Sequence, residues 1–212
     1  MRRTFIGLAL SLSLMSMVSL AHPVSFKGSK GVMGYHSPIV THHQLNYSFE
    51  YWLAAGVHHI RRPQLDNRFA TLGSVNLLLK RWNGEALQSN LYALLGAGES
   101  QLGPTAETSG LAGIQFDIED RDYYFLARHL HIGNERRADL NQTIVRAGVT
   151  PYVDGYDGFH SWIILEWKNS EFAAGDELSD LTPFLRFFYR NFLFEIGQSF
   201  DGISKLNYIA HF

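Results

Sequence analysis

Residues 192–212 read FLFEIGQSFDGISKLNYIAHF. Phe192, Phe194 and Ile196 alternate with Leu193, Glu195 and Gly197. After the brief connection 201–204, Leu206, Tyr208, Ala210 and Phe212 alternate with Asn207, Ile209 and His211. Successive side chains of a strand point to opposite faces, so period two is the strand period. Two strands that each carry one apolar and one mixed face, joined tightly, set the pattern for the rest of the chain.

Working outward, the same period recurs. Tyr47, Phe49, Tyr51 and Leu53 alternate with Asn46, Ser48 and Glu50, and Ile114, Phe116 and Ile118 alternate with Gln115, Asp117 and Glu119. No stretch shows a helical stripe or a repeat longer than a hairpin. The pattern predicts about ten strands, near 45–57, 68–81, 86–98, 109–119, 122–131, 140–150, 159–167, 181–189, 192–200 and 205–212. Asn83-Gly84 is a hairpin dipeptide. Glu119-Asp120-Arg121 and Arg190-Asn191 are equally tight, and residues 154–158 are moderately short. The stretches 58–67, 99–108, 132–139 and 168–180 read as longer polar connections. Alternating short and long connections are expected of a transmembrane barrel with tight inner turns and longer external loops. A soluble sandwich or lipocalin-like barrel has no reason to show them. An even strand number brings the last strand back to the side of entry. The fold class is therefore all-β, an antiparallel transmembrane barrel of ten strands, with eight and twelve as the alternatives.

Aromatic residues gather where strands meet the short turns: Trp82, Tyr123, Tyr124, Phe159, Tyr189, Phe192 and Phe212. Such rings are apolar with polar tips and form girdles at membrane interfaces. With the terminal Phe212 and the same-face Tyr208 and Leu206, the chain resembles the Gram-negative outer-membrane β-barrel class. The resemblance covers the pattern from about residue 45 onward and does not single out a family. It implies outer-membrane delivery, lipid around the wall, and recognition of the Phe212 ending by the assembly machinery.

Composition bounds the alternatives. The 212 residues include no cysteine, 46% are hydrophobic and 18% charged, which excludes a disordered chain, a disulfide framework and thiolate chemistry. A net charge of −2 with a pI near 6.5 gives no footprint for nucleic acid. Residues 1–21 read as a cleaved export signal: Arg2 and Arg3, an apolar run from Phe5 to Leu20, then Ser19-Leu20-Ala21. Residues 22–44, with Gly28, Gly31, Gly34 and Pro38, fit neither strand nor helix. They are expected to be an extension, a plug, or an additional strand that would make the count odd. The barrel then occupies residues 45–212.

If the apolar set faces lipid, the alternate set faces inward. Charged members of that set are Glu50, Lys80, Asp117, Arg128, Arg146, Glu166, Arg186 and Glu195. From Arg146 to Glu195 the sign changes at each strand, and neighbouring strands lie about 4.8 Å apart. Buried charges persist when paired and hydrogen-bonded. The expectation is a lumen closed by an ion-pair network, without a wide channel.

Histidine is the one reactive residue in excess, at ten. His42-His43 and His58-His59 flank the first expected strand, which at about 3.3 Å per residue puts them at opposite rims. His22 begins the exported chain, as in copper-binding periplasmic proteins that also start His-Pro; with His36, His42 and His43 it forms the metal-ligand candidate set. His129-Leu130-His131 ends a strand before an external loop. Outer-membrane lipid A deacylases place His and Ser two residues apart at a comparable position, but here the second residue is His131, so the nucleophile is absent. No cofactor is implied. Three roles follow: a structural, surface-interaction or minor solute-passage barrel; a lipid-modifying hydrolase; and a metal-associated surface protein or soluble periplasmic ligand-binding barrel.

Overall fold

The structure is a computed structural model that describes residues 22–66, 68–151, 158–173 and 175–212. The expected export signal, residues 1–21, lies outside the described residues. Twelve strands follow one another: β1 (Lys30–His36), β2 (Thr41–Glu50), β3 (Leu53–Arg62), β4 (Arg68–Asn83), β5 (Gln88–Ser100) and β6 (Glu107–Glu119). They continue as β7 (Tyr123–Gly133), β8 (Ala138–Val149), β9 (His160–Phe172), β10 (Glu177–Tyr189), β11 (Phe192–Gln198) and β12 (Ser204–His211). Each pairs antiparallel with the next, and β1 pairs with β12, closing the barrel. Closure leaves no edge with unpaired backbone groups, which is what a wall surrounded by hydrocarbon requires.

The count is twelve, not ten, for two local reasons. The expected first strand, 45–57, is a hairpin: β2 turns at Tyr51-Trp52 and returns as β3. That turn contains no Gly, Asn or Pro, the residues that normally advertise one. A register shift between Ser48 and Glu50 lets the chain tighten there, and Leu78 N–H donates to Trp52 C=O at 2.9 Å. The second reason is β1, which lies within 22–44, so the barrel begins at Lys30. Both additions leave the number even, and Lys30 and Phe212 exchange backbone hydrogen bonds of 2.9 Å at one end.

Loop asymmetry is much weaker than the sequence suggests. At the end opposite the chain ends, the connections are 37–40, 63–67, 101–106, 134–137, 173–176 and 199–203. At the near end they are 51–52, 84–87, 120–122 and 190–191, and the expected short connection at 154–158 falls almost wholly outside the described residues. Polar stretches such as 58–62 and 168–172 are strand, because the ladder continues past the apolar segment of each strand.

Side chains alternate between wall faces along every strand. The outer face carries Leu45 at 54% exposure, Leu95 at 56%, Ile163 at 51% and Leu185 at 49%. Among the described residues, no outward position in the middle of a strand bears a formal charge. Trp82, Tyr123, Phe159, Tyr189, Phe192 and Phe212 are all exposed and lie near the end where Lys30 meets Phe212. Tyr124, expected among them, is instead buried inside the barrel. The opposite outer rim is polar, with His36, His43, His59, Thr71, Asn141 and Asn169 on outward positions. An apolar band of this extent around a closed barrel is the kind of surface that suits lipid contact.

Candidate functional site

The lumen is lined by the other face. Arg146 on β8 faces Glu166 on β9, and Arg186 on β10 faces Glu195 on β11, in direct register. Strand pairing thus brings opposite charges side by side. Glu195 accepts hydrogen bonds of 2.7 Å from Arg146 Nη2, from Arg186 Nε and from Asn207 Nδ2. Arg146 Nε lies 3.3 Å from Glu166 Oε2. Lys205 on β12, absent from the sequence-derived set, reaches Glu166 at 3.3 Å and also pairs with Asp180. Arg186 lies over the Tyr124 ring at 4.3 Å, and Arg146 over Phe184 at 5.3 Å. These contacts tie six neighbouring strands, β7 to β12, across one side of the lumen.

The remaining expected lumen charges separate. Asp117 is buried and accepts from Asn90 Nδ2 at 2.7 Å and from Gln115 Nε2 at 3.1 Å. Arg128 points inward over Tyr35, 5.6 Å from its ring. Glu50 is at the rim near the chain ends, paired with the exposed Lys27. Lys80 lies outside the lumen: a bulge between Leu78 and Lys80 inserts Leu79 and flips the facing, leaving Lys80 exposed 6.0 Å over Trp82. A single inserted residue reverses every side chain beyond it.

A small cavity of about 50 Å³ lies among Tyr35, His42, Gln115, Arg128, Arg146, Glu166, Lys168 and Lys205. That is room for a few waters. Its charged walls comprise four basic side chains and one carboxylate. Neither Arg128 nor Lys168 forms an ion pair among the described residues, and the buried Arg128 Nε has no hydrogen-bond partner there.

The histidines are not distributed as expected. The hairpin turn at Tyr51-Trp52 brings the two pairs to the same end: His43 is opposite His59, and His42 Nε2 lies 3.1 Å from His58 Nδ1 inside the barrel. Their placement at opposite rims is thereby corrected. His58 Nε2 is 3.1 Å from Ser74 Oγ, which makes a Ser74–His58–His42 chain that sequence spacing did not reveal. Such a chain has the form of an activated nucleophile. Here Ser74 donates to Asn76 Oδ1 at 3.0 Å, and a Cβ added at the facing Gly56 would lie 2.8 Å from Ser74 Oγ, so no space for a substrate carbonyl adjoins it.

His129 and His131 face outward, held by Thr143 Oγ1 at 2.9 Å and by Asn141 Oδ1 at 2.7 Å. The metal-ligand candidates do not converge: His22 is inside near the chain ends, His42 is inside near the other end, and His36 and His43 share an outward ring contact of 4.7 Å. Among the described residues, no group of three or more His, Asp or Glu side chains is arranged to hold a metal ion.

No family model matches the chain, and no curated protein matches it. Among solved structures, the barrel is similar to "KdgM porin in complex with disordered oligogalacturonate", with TM-score 0.50, 9% identity, and coverage of 87% of this chain and 98% of that one. It also aligns with "KdgM porin" at TM-score 0.49, 9% identity and the same coverage. A third match is "NanC porin structure in rhombohedral crystal form", at TM-score 0.46 and 12% identity, covering 86% of this chain and 97% of that chain. The fold is thus the closed antiparallel barrel of the porin type, shared at the level of architecture and not of sequence.

Proposed function

We propose that the protein is an outer-membrane barrel that passes small anionic solutes through a narrow lumen. The observation that carries this reading is the pairing of two faces: an uncharged apolar exterior and an interior cavity with four basic groups against one carboxylate. The exterior fits lipid and the interior fits a solute bearing carboxylate or phosphate. An anion passing the cavity finds Arg128 and Lys168 unpaired, whereas Arg146, Lys205 and Glu166 are engaged in the wall network. The oligogalacturonate named with the similar KdgM porin barrel is a carboxylate-bearing sugar. Phe212 is outward and exposed at the end of the last strand, where assembly machinery would read it.

Reversal potentials across a planar bilayer under a salt gradient test the proposal. The expected result is small conductance with anion preference, reduced in Arg128→Gln and in Lys168→Gln. Cation preference would overturn the solute class. Loss of all conductance, in the protein with and without residues 22–29, would leave a barrel with a structural or surface-interaction role.

A further inference from the structure

We propose that residues 22–29 are a releasable plug, latched by His22 between Asp117 and Glu119, that closes the mouth at the end where the chain ends meet. This rests on the solute-passage reading and adds its regulation.

The path of the segment carries the inference. From the start of β1 it enters the barrel and runs past successive strands. Gly28 N–H donates to Ser48 C=O at 2.7 Å, and Ser25 N–H donates to Ser48 Oγ at 3.0 Å, both on β2. Val24 is 1% exposed and packs in an apolar cluster with Ala54 on β3, Leu72 on β4 and Tyr92 on β5. Asn76 on β4 donates to the Pro23 carbonyl at 3.4 Å. His22 then stacks on Tyr92, ring centroids 5.7 Å apart, with Nδ1 3.3 Å from Asp117 and Nε2 3.6 Å from Glu119 on β6. In a ring of twelve strands, β6 is almost diametrically opposite β1. The segment therefore lies inside the barrel against the inner faces of β2 to β6 and ends almost opposite its start.

The attachment is built to be reversible. Between Gly28 and His22, the segment makes few hydrogen bonds to the wall and lies outside the strand ladders; its charged contacts are the exposed Lys27–Glu50 pair at the rim and, buried, the His22 ring beside two carboxylates. Burial opposes the charge on His22, but Asp117 and then Glu119 outweigh it, pushing the imidazole pKa up to about 10. Neutralising the two acids removes the latch while leaving the segment's covalent attachment and the barrel wall in place.

The chain has no cysteine, so Val24→Cys provides a single thiol reporter. In detergent-refolded protein whose barrel is verified by heat-dependent gel mobility, a hydrophilic maleimide should modify this thiol slowly, compared with Glu85→Cys in the exposed 84–87 turn. Adding Asp117→Asn and Glu119→Gln should accelerate modification about tenfold or more by shifting the population toward the released state. The same acid-pair change, without the cysteine, should raise bilayer conductance several-fold, as should deletion of residues 22–28. Rapid labelling of Val24→Cys in the otherwise unchanged barrel would overturn the docking. Release without a change in a measurable conductance would overturn the plug. If labelling reports release but no form conducts, the passage reading fails and the gate with it; labelling keeps that outcome separate from a failure to dock.

Discussion

Glu195 is the point on which the β8–β12 network converges. Two guanidinium groups and Asn207 converge on it at 2.7 Å, and it is 1% exposed. Removing its charge in Glu195→Gln leaves two buried cations short of a partner, a loss expected to cost about 3–5 kcal/mol. Denaturant unfolding in lipid vesicles measures it, and a cost below about 1 kcal/mol would show that the network is wet and loosely held. Glu50→Gln is the contrasting case: its partner Lys27 is exposed at the rim, so the same unfolding measurement should not separate this variant from the unsubstituted barrel. His22 makes a third prediction. Its raised pKa means that its docking stability is fully present below the ordinary histidine value and is lost as pH climbs through about 10. Carbon-13 titration of the histidine rings should find His22 still protonated at pH 8; a neutral ring there contradicts the latch.

The elements show where neighbouring backbones approach too closely for a side chain. At the β4–β5 pairing, a Cβ added at Gly96 would lie 2.2 Å from the Gly73 carbonyl oxygen, and one at Gly98 would lie 2.1 Å from that of Thr71. The clashing atoms are backbone, so the ladder itself must move. Gly96→Ala is expected to cost about 1–3 kcal/mol and to lower the yield of heat-modifiable barrel, whereas equal yields would mean that this corner is softer than its geometry. Element-level facts also divide what could be read from the sequence. The β9–β12 pattern was legible because outward Ile163, Leu165, Leu185 and Ile196 alternate cleanly with inward Glu166, Arg186 and Glu195. β1 was not legible, since Gly31 and Gly34 dilute its alternation and Tyr208 covers Gly34 in place of a side chain. The Tyr51-Trp52 turn was hidden by its lack of turn residues. Lys80 was misplaced because a bulge leaves no mark in a period-two pattern. The Ser74–His58–His42 chain depends on pairing across β2, β3 and β4, which spacing alone does not encode.

For the molecule as a whole, the decisive property is the solvent of its outer wall. Leu165 is 46% exposed in the middle of β9. In a bilayer, Leu165→Arg should destabilise the barrel by about 2–4 kcal/mol near the midplane. In a water-soluble barrel, the same change at an exposed site would be nearly neutral. Unfolding of the two forms in vesicles separates these cases. Closure through β1 and β12 has one more consequence. The strands that complete the wall come from the two extremities of the barrel sequence, so the seam cannot form until β12 has been made. A chain broken off during synthesis, or shortened by proteolysis before β12, presents two open margins of backbone donors and acceptors. It has no way to hide them in hydrocarbon. The seam thus serves as a test of completeness: intact polypeptides can settle in the membrane, and fragments stay behind in water for the cell's proteases.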